Sequence, residues 1–418
     1  MTTAGAIEAV WRIEQPKLAA RLNRLLRDIG LAEEIAQDAF VLALERWPRD
    51  GIPRNPAAWL TRIAKNRALD RLRRTTLIDG KHRELAIDFA ALERETPDIE
   101  SMLDEDMDDD LLRLIFTACH PVLPAEQRAA LALRLLGGLS TQEIGRAFLL
   151  PETTIAQRIV RAKRTLRDAE IAFETPRGEE RRERLAVVLE VVYLIFNEGY
   201  VATEGPHWLR TDLCGEALRL GRSLAALMPQ EPEVLGLLAL MELHASRFAA
   251  RVDGAGNPTL LLDQDRSRWN WSLIRSGLDG LARAMLLTPM PGPYLLQAMI
   301  AACHSRAVTA ADTDWIAIAA CYQALIVAAP SPIAEINRAV AVGMAFGAAQ
   351  GLAVADTLAG EPRLKGSHLL PTVRGDLLAK LGRVAEASAE FRRAAELTGN
   401  EKERALLLAR AEAPVSQP

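Results

Sequence analysis

Apolar positions along this chain recur at intervals of three and four, the spacing of helices that bury one face. The clearest case is the run Ser140 to Arg167, STQEIGRAFLLPETTIAQRIVRAKRTLR. It reads as two short helices broken by a turn. The first opens on a capping box, with Ser140 followed three residues later by Glu143. In the second, Ile155, Ile159, Ala162 and Leu166 form one apolar stripe that would pack against the first helix. The other faces carry Thr153, Thr154, Gln157, Arg158, Arg161, Lys163, Arg164 and Arg167, a mixture of cations and base-reading side chains. The pattern predicts a helix-turn-helix with a basic second helix.

The same periodicity organises the rest of the chain. Leu31 to Trp47 is expected to be a helix with Leu31, Ile35, Ala39, Phe40, Ala43 and Trp47 inward and Glu33, Glu34, Gln37, Asp38 and Glu45 outward. The stretch RWPRDGIPRNP should break it, because Pro48, Pro53 and Pro56 do not continue a helix and Gly51 favours a turn. A second helix runs from Ala57 to about Arg74, with Trp59, Leu60, Ile63, Leu69 and Leu72 as its apolar stripe and a separate basic face. Residues 76–110 end in DEDMDDD, too polar to bury alone, and read as an acidic linker. A compact helical unit, 111–173, contains the helix-turn-helix, and the charged junction TPRGEERRER places a boundary near 174–183. Beyond it lie a helical extension, 184–290, and a repeat region, 291–412. There Pro293, Pro332 and Pro371 open similar segments, with Gly343 matching Gly382, Leu352 matching Phe391 and Ala355 matching Ala394. An insertion displaces the second helix of the first repeat to about Trp315 to Ala328.

Composition narrows the class. A chain of 418 residues, 49% hydrophobic but only 5% aromatic, favours helices over sheet and has length for several cores. The amino terminus lacks the regions of a signal peptide, and no apolar stretch approaches the ~18 residues of a membrane span, so a cytoplasmic protein with no membrane partner is expected. Cys119, Cys214, Cys303 and Cys321 are scattered, and neither Cys119-His120 nor Cys303-His304 has metal-ligand spacing, so no metal and no cofactor is expected. The net charge of -4 hides an alternation: 59–74 is basic, 92–110 carries ten acids and one Arg, and 151–167 is basic again.

Three runs in order, AEEIAQDAFVLAL, NPAAWLTRIAKNRALDRLRR and LPAEQRAALALRLLGGLSTQEIGRAF with the basic helix after it, resemble the extracytoplasmic-function sigma factors. These are the small bacterial specificity subunits of RNA polymerase. The apolar tail, with LIFNEGY, DQDRSRWNW and the terminal repeats, resembles the subgroup that carries a C-terminal tetratricopeptide-like extension. The resemblance implies an all-α fold: sigma region 2 at 1–75, the linker 76–110, sigma region 4 at 111–173, then helical repeats. It implies core RNA polymerase and promoter DNA as partners, with a further protein partner for the repeats. Glu34, Gln37 and Asp38 match the surface that grips the polymerase clamp helices. Asn66 matches the asparagine beside a base flipped out of the minus-ten element, with Arg62, Lys65, Arg67, Arg71, Arg73 and Arg74 on the phosphates of the opening strand. Thr153, Thr154, Gln157, Arg158 and Arg161 would read the minus-thirty-five element, with Lys163, Arg164 and Arg167 nearer its backbone. The linker would thread toward the RNA exit path or serve simply as a flexible tether, and the long tail would regulate the sigma portion in cis or contact polymerase.

Two other classes compete. A polymerase-independent helix-turn-helix regulator with a protein-binding repeat domain leaves Leu31 to Arg74 unexplained. An enzyme would have to draw on Asn197, Glu198, His207, Asp263, Asp265 and Arg266, for which no catalytic motif exists. FNEGY and DQDRSRW read instead as packing and helix-end networks, with Tyr193, Phe196, Trp208, Trp269 and Trp271 as core.

Overall fold

The computed structural model describes residues 3–79, 107–148, 150–200, 211–251, 259–399 and 401–412, and among them the regular structure is helix throughout, with no strand. The chain divides into two compact units, Met1–Ile195 and Phe196–Pro418.

In the first unit, α1 spans Thr3–Leu26, α2 Ile29–Asp50 and α3 Pro56–Asp79. Asp28 starts α2 by accepting from the amides of Gly30 and Leu31 at 2.8 and 3.0 Å. The helix runs through Pro48 rather than breaking there. A proline in the last turn removes one hydrogen bond with little helix left to lose, and the stop falls at Gly51, whose φ of 83° ends the spiral. Leu22, Ile35, Ala36, Ala39, Phe40, Ala43, Trp47, Leu60, Ala64 and Ala68 close the core of this trio. Its edge-to-face rings, Trp11 on Phe40, Phe40 on Trp47 and Trp47 on Trp59, link all three helices. On α3 the fully buried stripe is thus Leu60, Ala64 and Ala68, with Trp59 and Ile63 flanking it.

Most of the expected linker lies outside the described residues, but both its ends are helical. Residues up to Asp79 extend α3, and the acidic run opens α4, Met107–Ala118, where carboxylates suit the positive end of the helix dipole. Asp110 is buried and pairs with Arg24 and Arg113, so the end of the acidic run is a structural contact as well as a tether. There follow α5 (Ala125–Leu135), α6 (Thr141–Phe148), α7 (Glu152–Asp168) and α8 (Gly178–Tyr200). The buried Arg184 on α8 donates to the carbonyl of Phe116 at the end of α4, at 3.1 Å. Farther along, Glu190 faces Arg128 of α5. These contacts hold the first part of α8 on the first unit, and the division between units falls inside this helix, after Ile195, rather than at the charged junction.

The second unit contains α9 (Thr211–Leu227), α10 (Pro232–Ala245), α11 (Trp271–Leu287), α12 (Pro293–Arg306), α13 (Trp315–Ala328), α14 (Pro332–Phe346), α15 (Ala348–Asp356), α16 (Leu369–Lys380), α17 (Val384–Leu397) and α18 (Glu401–Glu412). From α12 onward each helix packs on the next in sequence, as stacked hairpins do. Leu352 and Ala355 of α15 and their 39-residue counterparts Phe391 and Ala394 of α17 share one core. The matched glycines do different work. Gly343 lies inside α14 against Gly351, where a Cβ on Gly351 would sit 2.7 Å from Gly343 Cα, whereas Gly382 makes the turn after α16. Among the expected core aromatics, Phe196 and Trp269 are buried and Tyr193 is partly so, while Trp208 lies outside the described residues. Trp271 is more than half exposed, because Asn270 caps α11 and leaves Trp271 on its open first turn.

Candidate nucleic-acid interface

The helix-turn-helix forms as its local chemistry dictates. The capping box closes in both directions: the Ser140 amide donates to Glu143 Oε2 at 2.7 Å, and the Glu143 amide donates to Ser140 Oγ at 3.1 Å. Across the turn, Leu150 N donates to Gly145 O at 2.9 Å, and the Thr141 hydroxyl donates to Glu152. Gly145 is required there, since a Cβ would stand 2.8 Å from the Leu150 carbonyl oxygen. Ile155, Ile159, Ala162 and Leu166 are all buried, so α7 has one orientation.

That orientation sorts the expected contacts. Thr153, Gln157, Arg161, Arg164 and Arg167 are exposed, and Thr154 is partly buried. Val160, 65% exposed, stands among them at the same helical spacing. Sequence reading passed over it because it lies off the core stripe, yet an apolar side chain on a basic, open face is itself a signal. Arg158 turns back toward Glu126 of α5, 3.7 Å away. Lys163 does not join the open face: its Nζ pairs with Glu33 of α2.

On α3, Arg62, Asn66 and Arg71 are exposed, and Lys65 is partly so. Asn66 caps nothing among the described residues. Arg67 is engaged by Asp38 at 2.6 Å, so an expected DNA contact and an expected polymerase contact hold each other. Both are substantially exposed, and such a surface pair contributes ~0–1 kcal/mol and exchanges readily. Arg73 and Arg74 lie on the same helix, their side chains outside the described residues.

On α2, Glu34 and Asp38 face solvent and Gln37 is partly buried. Val41 and Leu44 are both more than half exposed and continue this face toward the end of the helix. Glu33 departs from the expected outward placement. It is 3% exposed, taking Arg134 Nε of α5 at 2.5 Å, Lys163 of α7, and the Gln37 amide on its own helix. Two further contacts flank it: Trp11 Nε1 donates to Gly138 O at 3.2 Å, and Arg24 meets Asp110 at 3.3 Å. The three-helix module and the helix-turn-helix module are therefore clasped through a buried carboxylate that holds two cations.

Of the residues weighed for catalysis, Asp265 and Arg266 serve structural ends. Asp265 caps a short 3-10 turn through the Ser267 amide at 2.9 Å, and Arg266 donates to the carbonyls of His304 and Ala307 at 2.6 and 2.7 Å. Asp263 is exposed and Asn197 and Glu198 are partly buried on α8, while His207 lies outside the described residues. Burial pushes the Cys119 thiol up to about 12, which leaves it an inert core group. No helix among the described residues is long and apolar enough to cross a membrane.

Comparison with known proteins fits these modules in order. The Sigma-70 region 2 model matches residues 10–77, Sigma-70 region 4 matches 113–166, and a family of unknown function (DUF6596) matches 184–285. An uncharacterised protein of Rhizobium meliloti is 44% identical over 412 residues, 97% of this chain and 95% of that protein. The ECF RNA polymerase sigma factor SigW of Bacillus subtilis is 30% identical over 160 residues, 37% of this chain and 83% of SigW. SigK of Mycobacterium tuberculosis, also an ECF RNA polymerase sigma factor, is 32% identical over 149 residues, 35% of this chain and 75% of SigK. The chain belongs to the ECF sigma factors. In this sigma factor, region 2 comprises α1–α3 and region 4 comprises α4–α7, and the Glu33 contact is an intramolecular clasp between the two. The SigW and SigK alignments span 160 and 149 residues of this chain, whereas the alignment to the Rhizobium protein spans 97% of it and so takes in the second unit.

Proposed function

We propose that this sigma factor binds core RNA polymerase through the open face of α2 and directs initiation by holding minus-ten DNA on α3 and minus-thirty-five DNA on α7. The observation that carries the reading is the exposed row on α7, Thr153, Gln157, Val160, Arg161 and Arg164. It offers hydrogen-bonding groups and an apolar group near the helix start for base edges and thymine methyls, then cations for phosphates. On α3, Arg62 and Asn66 lie one helical turn apart in the open, where a cation can hold a phosphate while the amide reads an extruded base. On α2, Glu34, Gln37 and Asp38 with Val41 and Leu44 combine acid, amide and apolar surface, which suits docking on a helical, basic partner.

The clasp sets a condition. Two promoter elements about 25 base pairs apart are separated by roughly 80 Å of duplex axis, whereas regions 2 and 4 of the free chain touch at Glu33. Promoter engagement then requires the clasp to open, which frees Lys163 for the DNA backbone. The stacked helices α12–α18 are read as a tetratricopeptide-like surface for a protein partner, and the second unit as a regulator of the sigma portion. The test is transcription with core polymerase and a library of promoter fragments. Specific starts that vanish with Asn66→Ala or Gln157→Ala support the reading. A chain that binds promoter DNA alone and never binds core polymerase overturns it in favour of a free-standing regulator.

A further inference from the structure

The second unit buries positive charge that no carboxylate among the described residues neutralises. Arg247 and Arg251 bracket the short 3-10 turn Phe248–Ala250 after α10 and are only 6% and 8% exposed. The Arg251 guanidinium lies over the Tyr200 ring, 3.6 Å from its centre, and Arg247 Nη2 donates to the Tyr200 hydroxyl at 3.0 Å. Arg247 Nε and Arg251 Nη1 are buried with no acceptor, and neither side chain has a carboxylate partner among the described residues. Other arginines of this unit have acid partners: Arg222 pairs with Glu242 at 2.8 Å and Arg374 with Glu390 at 2.8 Å. An arginine does not escape burial by losing its proton, so an unpaired buried guanidinium is a standing cost unless an anion joins it.

The neighbourhood registers the same imbalance. Burial, with Arg247 and Arg251 close by, pushes His244 well below the ordinary histidine range. Burial and Arg247 push His304 down to about 4, so both rings stay neutral. Both arginines and Tyr200 line a cavity of about 320 Å³, a size that fits a small ligand. Leu260, Leu261 and Leu407 supply apolar wall. Glu403, an acid lining the same cavity, is engaged by His368 at 3.1 Å and by the Thr398 hydroxyl.

We propose that Tyr200, Arg247 and Arg251 form the anion-recognising end of a ligand site that takes a small organic anion, its carboxylate or phosphate on the two guanidinium groups and its apolar body against the leucines. Two guanidinium groups offer more donors than either anion has lone pairs pointing one way, so both head groups fit. The site lies wholly within the second unit.

The experiment is a thermal and calorimetric titration of the full chain with inorganic phosphate and, separately, benzoate, against sodium chloride at equal ionic strength. At least one probe should give a saturable rise in melting temperature that chloride does not. Arg251→Met should melt higher than the parent without anion, because a buried unpaired charge is gone, and should lose the saturable response. Arg247→Lys, which keeps charge but loses the fork, should weaken the response about tenfold. The exposed basic face of α7 also attracts phosphate, so the Arg164→Gln/Arg167→Gln pair serves as the contrast and should respond like the parent. No saturable response to either probe overturns the proposal. So does a response that survives both Arg247→Lys and Arg251→Met, or that disappears with the α7 pair.

Discussion

Gln157 and Arg161 stand one turn apart on the open side of α7, and what each reads decides how its loss is felt. Each to Ala should cost ~1–3 kcal/mol of holoenzyme affinity for a cognate minus-thirty-five element and little for a scrambled one. Arg167→Gln should instead weaken both about equally and reduce the salt slope by about one. Binding isotherms over a salt series check this, and equal losses on both DNAs for Gln157→Ala would refute the base-reading role. His304 governs a different property. Its folded pKa is lowered by burial to about 4 from an ordinary 6.5, so below pH 6.5 the unfolded chain takes up a proton that the folded chain refuses. Stability is thus present above the unfolded pKa and lost as pH falls from about 6.5 toward 4, at up to ~1.4 kcal/mol per pH unit. Denaturant unfolding at pH 7, 6 and 5 should show that loss, and His304→Gln should lessen it. An unchanged pH slope in the variant would remove His304 from the account.

The helix-turn-helix was readable because its signals are local: a capping box, an apolar stripe and a break at Pro151 all act within a few residues. Glu33 was not readable. Its helical position looks like solvent, and only the arrival of Arg134 and Lys163, 101 and 130 positions away, makes it interior. Val41, Leu44 and Val160 escaped for a different reason: they lie off the core stripes, and only the polar residues of those open faces were read as contacts. Pro48 was read as the stop, but it costs one hydrogen bond to the preceding turn without forcing the chain out of the helix, and Gly51, also read as a turn residue, ends it three residues later. Two consequences belong to these elements. Gly145→Val should drive a side chain into the Leu150 carbonyl and unseat α7 from α6, abolishing promoter binding while region 2 still docks on core polymerase. Glu33→Gln keeps the shape but leaves Arg134 and Lys163 without their counter-charge, destabilising the closed pairing by ~1–3 kcal/mol. Small-angle scattering should find the variant more extended and protease should reach the linker sooner; identical profiles would show that Glu33 does not hold the modules together.

At the scale of the whole molecule, α8 is the element to cut with care. Arg184 and Glu190 place its first half on region 4, so a chain ending at residue 195 retains those contacts and one ending at 183 loses them. The longer fragment should melt higher by several degrees, a difference of ~1–3 kcal/mol from the bond to Phe116 and the buried packing around it. Equal melting temperatures would mean that α8 contributes nothing to the sigma portion. That a long helical tail follows the sigma portion was legible from composition and from its helical periodicity. The seam inside a continuous helix was not, because a helix that serves two cores looks in sequence like a helix that serves one. The clasp at Glu33 also bears on cellular dosage. On the proposed reading, a factor that keeps its two DNA-contacting modules folded together until polymerase separates them does not squat on promoters by itself. Raising its copy number then recruits more enzyme to its genes instead of shutting them with empty factor.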